Sequence, residues 1–528
     1  MKTRLLTAVL AGLALTASFT YPALAERPPT GQPAAQTATP EWRPSEPLLW
    51  TGCGGHGGEC ATLKVPIDWK RPNGPTLNLA IGRLSALNPA KRLGVLVVHP
   101  GGPGASGIDP FILDDAIPES DPVRQYFDLV TLDPRGVGRS TQAVCSADLV
   151  DRTPVTYPAD EAEYRSLLRF NASLSRDCRR QTGPLFDHVD TTSAARDVDA
   201  IRVALGERRI SFFAISYGTM VGQQYAELFP GNIRAMAIDS DMDHSITSAW
   251  QYLKTTTEDF ESSFLDFAKW CGETATCALH DKKVTDVWDE LHAKAAAGDL
   301  KSPFDGSPIS AEDLRGGLFI YMYDPSGWFD AAQWLRALTR GAPPAPPFTV
   351  KTEVVDNPYP AIWCSDWKWD VTSFSQLDRY RRRLETIAPH TKLSPFWSDV
   401  TSCLNWQGPV SNPQHRLAIG DTPPILVATA RHDVGTPAAW NQSVARQIPR
   451  SALLEYEGVG HGQFRNSACA HDAIVDYLIE LKVPQPGTRC APEYPTEPSA
   501  ATKSAESPPL TRTGRPVHAG RPYGTRRP

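Results

Sequence analysis

Ile210-Ser211-Phe212-Phe213-Ala214-Ile215 runs directly into Ser216-Tyr217-Gly218, and Thr219 to Leu228 follows before Pro230. The first six residues are a short apolar run, which reads as a buried strand. The stretch after Gly218 carries helical spacing and stops near a proline. Ser216 therefore sits in a strand–turn–helix context. That is the setting of a nucleophile elbow, where a tight turn exposes a serine hydroxyl at the end of a sheet. Small residues two before and two after the serine let strand and helix approach. Gly218 supplies one, and Ala214 stands where glycine is usual. The bare pattern A-x-S-x-G occurs by chance, and the alternative reading is a surface turn. The flanking elements give it weight.

Working outward, the same rhythm recurs. Leu93–Val98, Phe127–Leu132, Ile233–Ile238, Ile425–Thr429 and Leu453–Glu457 read as further strands. Ala194–Leu205 and Ala470–Leu481 read as helices. Nearly continuous apolar strands alternating with helices imply a mostly parallel sheet covered by helices, an α/β architecture. From Asp241 to Ala418 the rhythm breaks into a Trp- and Tyr-rich, largely helical stretch. We read it as a cap inserted between sheet strands. Ligands of such sheets sit at the C-terminal ends of the strands, beside insertions of this kind.

The 528 residues carry 41% hydrophobic side chains and a formal charge of −6. That is ordinary globular composition, and it lacks the basic excess of a nucleic-acid binder. Lys2 and Arg4, the apolar Leu5–Ala17 and the small-x-small Ala23-Leu24-Ala25 read as a signal peptide over 1–25. The apolar run is short for a membrane span, and no later segment is long enough either. Ten cysteines fit an exported chain with disulfides. Their order suggests pairing 53–60, 145–178, 271–277, 364–403 and 469–490, although sequence alone does not fix connectivity. Cys53, His56 and Cys60 match no common zinc spacing. Residues 26–47 read as a flexible leader, and 495–528 as a disordered, basic-ended tail.

The chemistry gathers at strand ends. His99-Pro100-Gly101-Gly102-Pro103-Gly104 follows the Leu93–Val98 strand. A glycine-rich turn there can present free N–H groups to an oxyanion. The expected pair is Gly102 with Tyr217, the residue after the serine. The turn lacks the Gly-Lys-Ser/Thr ending of a phosphate loop. In this topology a carboxylate and then an imidazole follow the serine in chain order. Asp433 stands after Ile425–Thr429, and His461 stands after Leu453–Glu457 between two glycines. His432 and His471 are rivals. His432 adjoins Asp433 too closely to pair with it easily, and His471 opens a helix. The set Ser216, Asp433 and His461 needs neither metal nor cofactor.

Together these pieces resemble the proline iminopeptidase and secreted tripeptidyl aminopeptidase branch of the α/β hydrolases. His99–Gly104 resembles its oxyanion turn, and Asp133-Pro134-Arg135-Gly136-Val137-Gly138-Arg139-Ser140 its D-x-R-G-x-G-x-S loop. Ser216-Tyr217-Gly218-Thr219 matches its S-Y-G-T. Ala361-Ile362-Trp363-Cys364-Ser365-Asp366 and Cys403-Leu404-Asn405-Trp406 resemble its cap segments. Gly460-His461-Gly462 with Cys469 and Cys490 resembles its TAP-like ending. The resemblance spans roughly 45–495. Ala214, Gln407 and the acidic run Asp239–His244 depart from the pattern. The resemblance implies an α/β-hydrolase fold with a core over 48–240 and 419–494 and a helical cap over 241–418. It also implies an enzyme that removes short peptides from free N-termini through an acyl-enzyme, and we read the chain as a secreted or cell-wall-associated monomer. Such an enzyme has peptide as its partner, with no nucleic acid and no stable membrane association. An ester hydrolase on the same machinery is the alternative. A free ammonium needs a carboxylate, and Asp241, Asp243 and Asp366 are the candidates. Trp363, Trp367, Trp369 and Trp397 could line a cleft or form the cap core.

Overall fold

Twelve strands form among the described residues of the computed structural model, which are 42–303, 306–340 and 354–497. They are β1 (Thr51–Gly52), β2 (Glu59–Pro66), β3 (Thr76–Leu84), β4 (Gly94–His99), β5 (Phe127–Leu132), β6 (Val144–Ser146), β7 (Ile210–Ile215), β8 (Ile233–Asp239), β9 (Val354–Asp356), β10 (Ile425–His432), β11 (Ser451–Val459) and β12 (Arg489–Cys490). Ten make one sheet in the order β1-β2-β3-β5-β4-β7-β8-β10-β11-β12. From β5 to β12 every neighbouring pair is parallel. The edge from β1 to β5 is antiparallel. Sequence reading missed that edge, because Thr62 and Lys64 interrupt β2 and Asn78 and Arg83 interrupt β3, so neither shows the continuous apolar run of the centre. The signal peptide, the leader up to residue 41 and the tail from residue 498 lie outside the described residues.

Why the central strands are mostly apolar is visible in β4. Val95 and Val97 enter the core on one face of the sheet, and Leu96 and Val98 enter the core on the other. Side chains alternate along a strand, so a sheet covered on both faces needs apolar residues at every position. The covering helices include α1 (Glu161–Thr182), α2 (Thr191–Ala204), α3 (Gly218–Leu228), α4 (Ala249–Glu273), α5 (Val284–Ala296), α6 (Ala311–Tyr323), α7 (Trp328–Arg340), α8 (Pro358–Asp366), α9 (Phe374–Ile387), α10 (Ala438–Gln447) and α11 (Ala468–Glu480).

Helices α4 to α9 lie between β8 and β10 in the chain. Phe260, Phe264, Trp288, Leu314, Leu318, Trp328 and Leu335 of this insertion share a separate apolar core, which reaches the sheet through Val434 and Val459. Two further contacts bind this insertion to the rest. β6 pairs antiparallel with β9, and Asn171 of α1 donates to the carbonyls of Thr401 and Leu404 at 2.8 and 2.9 Å. The segment from Val144 to Thr182 thus packs on the insertion, although it precedes the serine in sequence. All ten cysteines pair, as 53–60, 145–178, 271–277, 364–403 and 469–490. Order also extends past two sequence-based boundaries. Trp42 packs edge-on against Trp69, and Trp270 Nε1 donates to Pro495 O at 3.0 Å.

Candidate active site

Ser216 follows β7 with φ 61°, in the left-handed region that non-glycine residues seldom occupy. The turn is pinned from both sides. Ser216 N–H donates to Asp239 O at 3.1 Å, and Ser216 O accepts from Thr219 N–H at 2.9 Å and from Thr219 Oγ1 at 2.6 Å. Glycine at 218 is a matter of space. A Cβ there would lie 2.5 Å from Pro100 O and 2.8 Å from His99 O. Helix α3 and the turn after β4 meet backbone to backbone. Ala214 stands across from His99 in the β4–β7 register, and its methyl is accommodated in the core.

The serine side chain faces the glycine turn: a Cβ on Gly101 would be 3.2 Å from Ser216 Oγ. The N–H groups of Gly102 and Tyr217 meet no acceptor among the described residues. They are free to bind a developing oxyanion. His99 holds the turn from beneath, with Nδ1 2.8 Å from Pro100 O. Burial pushes its pKa down to about 4, so the ring is neutral and Nδ1 carries the donated hydrogen.

Asp433 stands just past β10 and is fully buried. Its Oδ1 accepts from the N–H groups of Gly435 and Thr436 at 2.8 and 3.1 Å, and its Oδ2 accepts from Thr436 Oγ1 at 2.8 Å. His461 Nδ1 lies 2.9 and 3.0 Å from the two carboxylate oxygens. The imidazole is 6% exposed. The loop bearing it rests on the ends of β7 and β8. Gly462 N–H donates to Ser240 Oγ at 2.8 Å, and Gln463 and Phe464 donate to Asp239 at 2.9 and 2.8 Å. Burial raises Asp239 to about 6 against the opposing pull of those two N–H groups and of His461.

Sequence reasoning expects a serine–imidazole hydrogen bond, and this state does not make it. His461 Nε2 is buried without a partner. Ser216 Oγ instead lies toward Gly101. Serine χ1 moves between staggered wells, and such bonds are often open until substrate is bound.

The rival histidines are placed elsewhere. His432 lies 3.8 Å from both Asp259 and Asp266. His471 pairs with Asp121 at 3.0 Å and Asp472 at 3.1 Å.

The three carboxylates expected to hold an ammonium are buried and hydrogen-bonded within the protein. Asp241, Asp243 and Asp366 are 0%, 3% and 0% exposed. Asp366 has both oxygens engaged, by Thr191 N–H at 3.0 Å, Thr191 Oγ1 at 2.6 Å and Asn412 Nδ2 at 2.8 Å. Thr191 Oγ1 in turn meets Tyr217 OH at 2.7 Å, so Asp366 braces the elbow. Asp243 Oδ1 accepts from Ser245 N–H and Oγ and from Gln447. Asp241 Oδ1 accepts from Gln223 at 3.3 Å, and its Oδ2 is sealed without a partner. All three act as internal acceptors.

Trp363, Trp367 and Trp369 stack successively at 4.9 and 5.0 Å. With Trp397 they are buried in the apolar core that lies against one face of the sheet. Two residues at the site escaped sequence reading. Thr436, three after Asp433, had a short-range signal that could have been used. Tyr323 packs edge-to-face on His461 at 4.8 Å from far away in sequence and had none.

A mostly parallel sheet with a left-handed serine after one strand, and a carboxylate and imidazole after two later ones, defines an α/β hydrolase. A family model described as "TAP-like protein" matches residues 390–490. The chain is 28% identical over 502 residues to serine protease Hip1 of Mycobacterium tuberculosis, covering 84% of this chain and 91% of that one. It is 28% identical over 467 residues to tripeptidyl aminopeptidase of Streptomyces lividans, covering 83% and 85%. Carboxylesterase B of M. tuberculosis is 29% identical over 508 residues, covering 88% and 93%. The chain has the α/β-hydrolase fold, and its residues 390–490 match the TAP-like segment.

Proposed function

We propose that the protein is an exported serine exopeptidase that releases short peptides from free N-termini. The observation that carries this reading is the Asp433–His461 pair, with Nδ1 held and Nε2 unengaged. The chain also carries a left-handed serine after β7 and two N–H groups without acceptors. Ser216 Oγ attacks the substrate carbonyl, and His461 Nε2 takes its proton. Asp433 fixes the tautomer and offsets the imidazolium charge. Gly102 and Tyr217 N–H groups receive the oxyanion. His461 then protonates the leaving amine, and water releases the acyl group by the same steps in reverse. The names of the Hip1 and Streptomyces relatives support a peptide substrate. Five disulfides, with no free cysteine among the described residues, support export to an oxidising compartment. The protein acts as a monomer, and no helix among the described residues is long and apolar enough to cross a membrane.

The carboxylesterase relative favours a second reading, ester hydrolysis with the same residues. A tripeptidyl p-nitroanilide, its N-acetylated form and a p-nitrophenyl ester separate the two. The exopeptidase cleaves the free anilide and loses most activity on the acetylated one. Cleavage of the ester alone, or indifference to acetylation, would replace the first reading with the second.

A further inference from the structure

We infer that Tyr323, the last residue of cap helix α6, is a positioning residue for His461, so that the docked cap is part of the working base. This rests on the serine-hydrolase reading above. His461 lies between Gly460 (φ 129°) and Gly462 (φ 84°), two residues that do little to stiffen a loop. Its restraint comes from outside that loop. Tyr323 O accepts His461 N–H at 2.7 Å. Asn466 Nδ2 donates to His461 O at 3.1 Å and to Tyr323 O at 3.4 Å, joining the two main chains. The Tyr323 ring meets the imidazole at 4.8 Å and 81°, an edge-to-face contact. Gly435 makes room for both rings, since a Cβ there would lie 2.7 Å from His461 Nδ1 and 3.1 Å from Tyr323 Cε1. The imidazole is thus gripped on its Nδ1 edge by Asp433 and on its flank by Tyr323.

Helix α6 is itself rigidly held. Ser310 and Asp313 form a capping box at its start, and Leu314, Leu318 and Met322 are buried in the cap core. Phe319 packs on Tyr323 and on Phe396, both at 5.1 Å. Movement of the cap would carry Tyr323 with it and release the imidazole. The contact is made by the ring and the main chain. The hydroxyl plays no part in it.

The test uses the full chain with Tyr323→Phe, Tyr323→Ala and Tyr323→Leu. Steady-state kcat and KM on a p-nitrophenyl ester, the rate of fluorophosphonate labelling and the melting temperature are read for each. Tyr323→Phe should keep kcat within about threefold. Tyr323→Ala should lower kcat and the labelling rate about 100-fold with KM nearly unchanged, the usual result of displacing a catalytic group by about 1 Å. If the alanine variant does not fold, Tyr323→Leu keeps the bulk without the aromatic edge and should still lose at least about tenfold. A folded alanine or leucine variant with wild-type kcat and labelling overturns this inference alone. A loss confined to KM, or an equal loss in Tyr323→Phe, also overturns it. Wild-type protein that takes no label overturns the serine-hydrolase reading as well.

Discussion

Gly218→Ala places a methyl group where the nucleophile helix meets the turn that offers Gly102. The added Cβ would sit 2.5 Å from Pro100 O and 2.8 Å from His99 O, whereas real Cβ contacts essentially never fall below 3.0 Å. Both neighbours are backbone oxygens and cannot swing aside. Helix and turn must therefore separate by at least 0.5 Å. Oxyanion donors work over about 2.7–3.1 Å, so a separation of this size takes one donor out of range, which costs about 10²–10³-fold in kcat. Stability should change less. Overpacking costs about 1–3 kcal/mol, and alanine in a helix returns up to about 1 kcal/mol relative to glycine. The assay is kcat on a p-nitrophenyl ester together with the melting temperature. Gly231→Ala serves as the control, because nothing lies within 4 Å of a Cβ there. The expected result is a folded Gly218→Ala protein at least about 100-fold slower, beside a control at wild-type rate. Gly218→Ala within threefold of wild type would refute the close-approach argument.

Two further outcomes concern stability. Cys364–Cys403 closes a loop with a sequence separation of 39 in the cap. Replacing both cysteines by alanine should cost about 4 kcal/mol from loop entropy, read by urea unfolding, and no loss would contradict that account. Burial, opposed by the hydroxyls of Tyr252 and Tyr359, raises Asp399 to about 7 from 3.8. The folded chain therefore holds that proton more tightly. The stability it contributes is full below pH ~4 and is lost as pH rises through about 7. The melting temperature of Asp399→Asn relative to wild type should climb from pH 5 to pH 8. A flat or falling difference would exclude this carboxyl as the source.

The centre of the sheet was legible because burial on both faces leaves little choice of residue. Phe127–Leu132 and Ile210–Ile215 are strands at the expected bounds. The antiparallel edge was not, since polar residues interrupt β2 and β3 and weaken the signal. The Asp433–His461 contact was legible because topology orders the residues that follow strand ends. Carboxylate roles were not. An Asp in sequence looks the same whether it faces a cleft or, like Asp366, accepts from Thr191 and Asn412. The grip of Tyr323 on His461 depends on how the cap docks, and no local pattern encodes that.

Fluorophosphonate labelling followed by peptide mass mapping tests the central claim most directly. The account predicts a single adduct on Ser216 in the wild-type chain and none in Ser216→Ala. An adduct at another residue, or full labelling of Ser216→Ala, would contradict it.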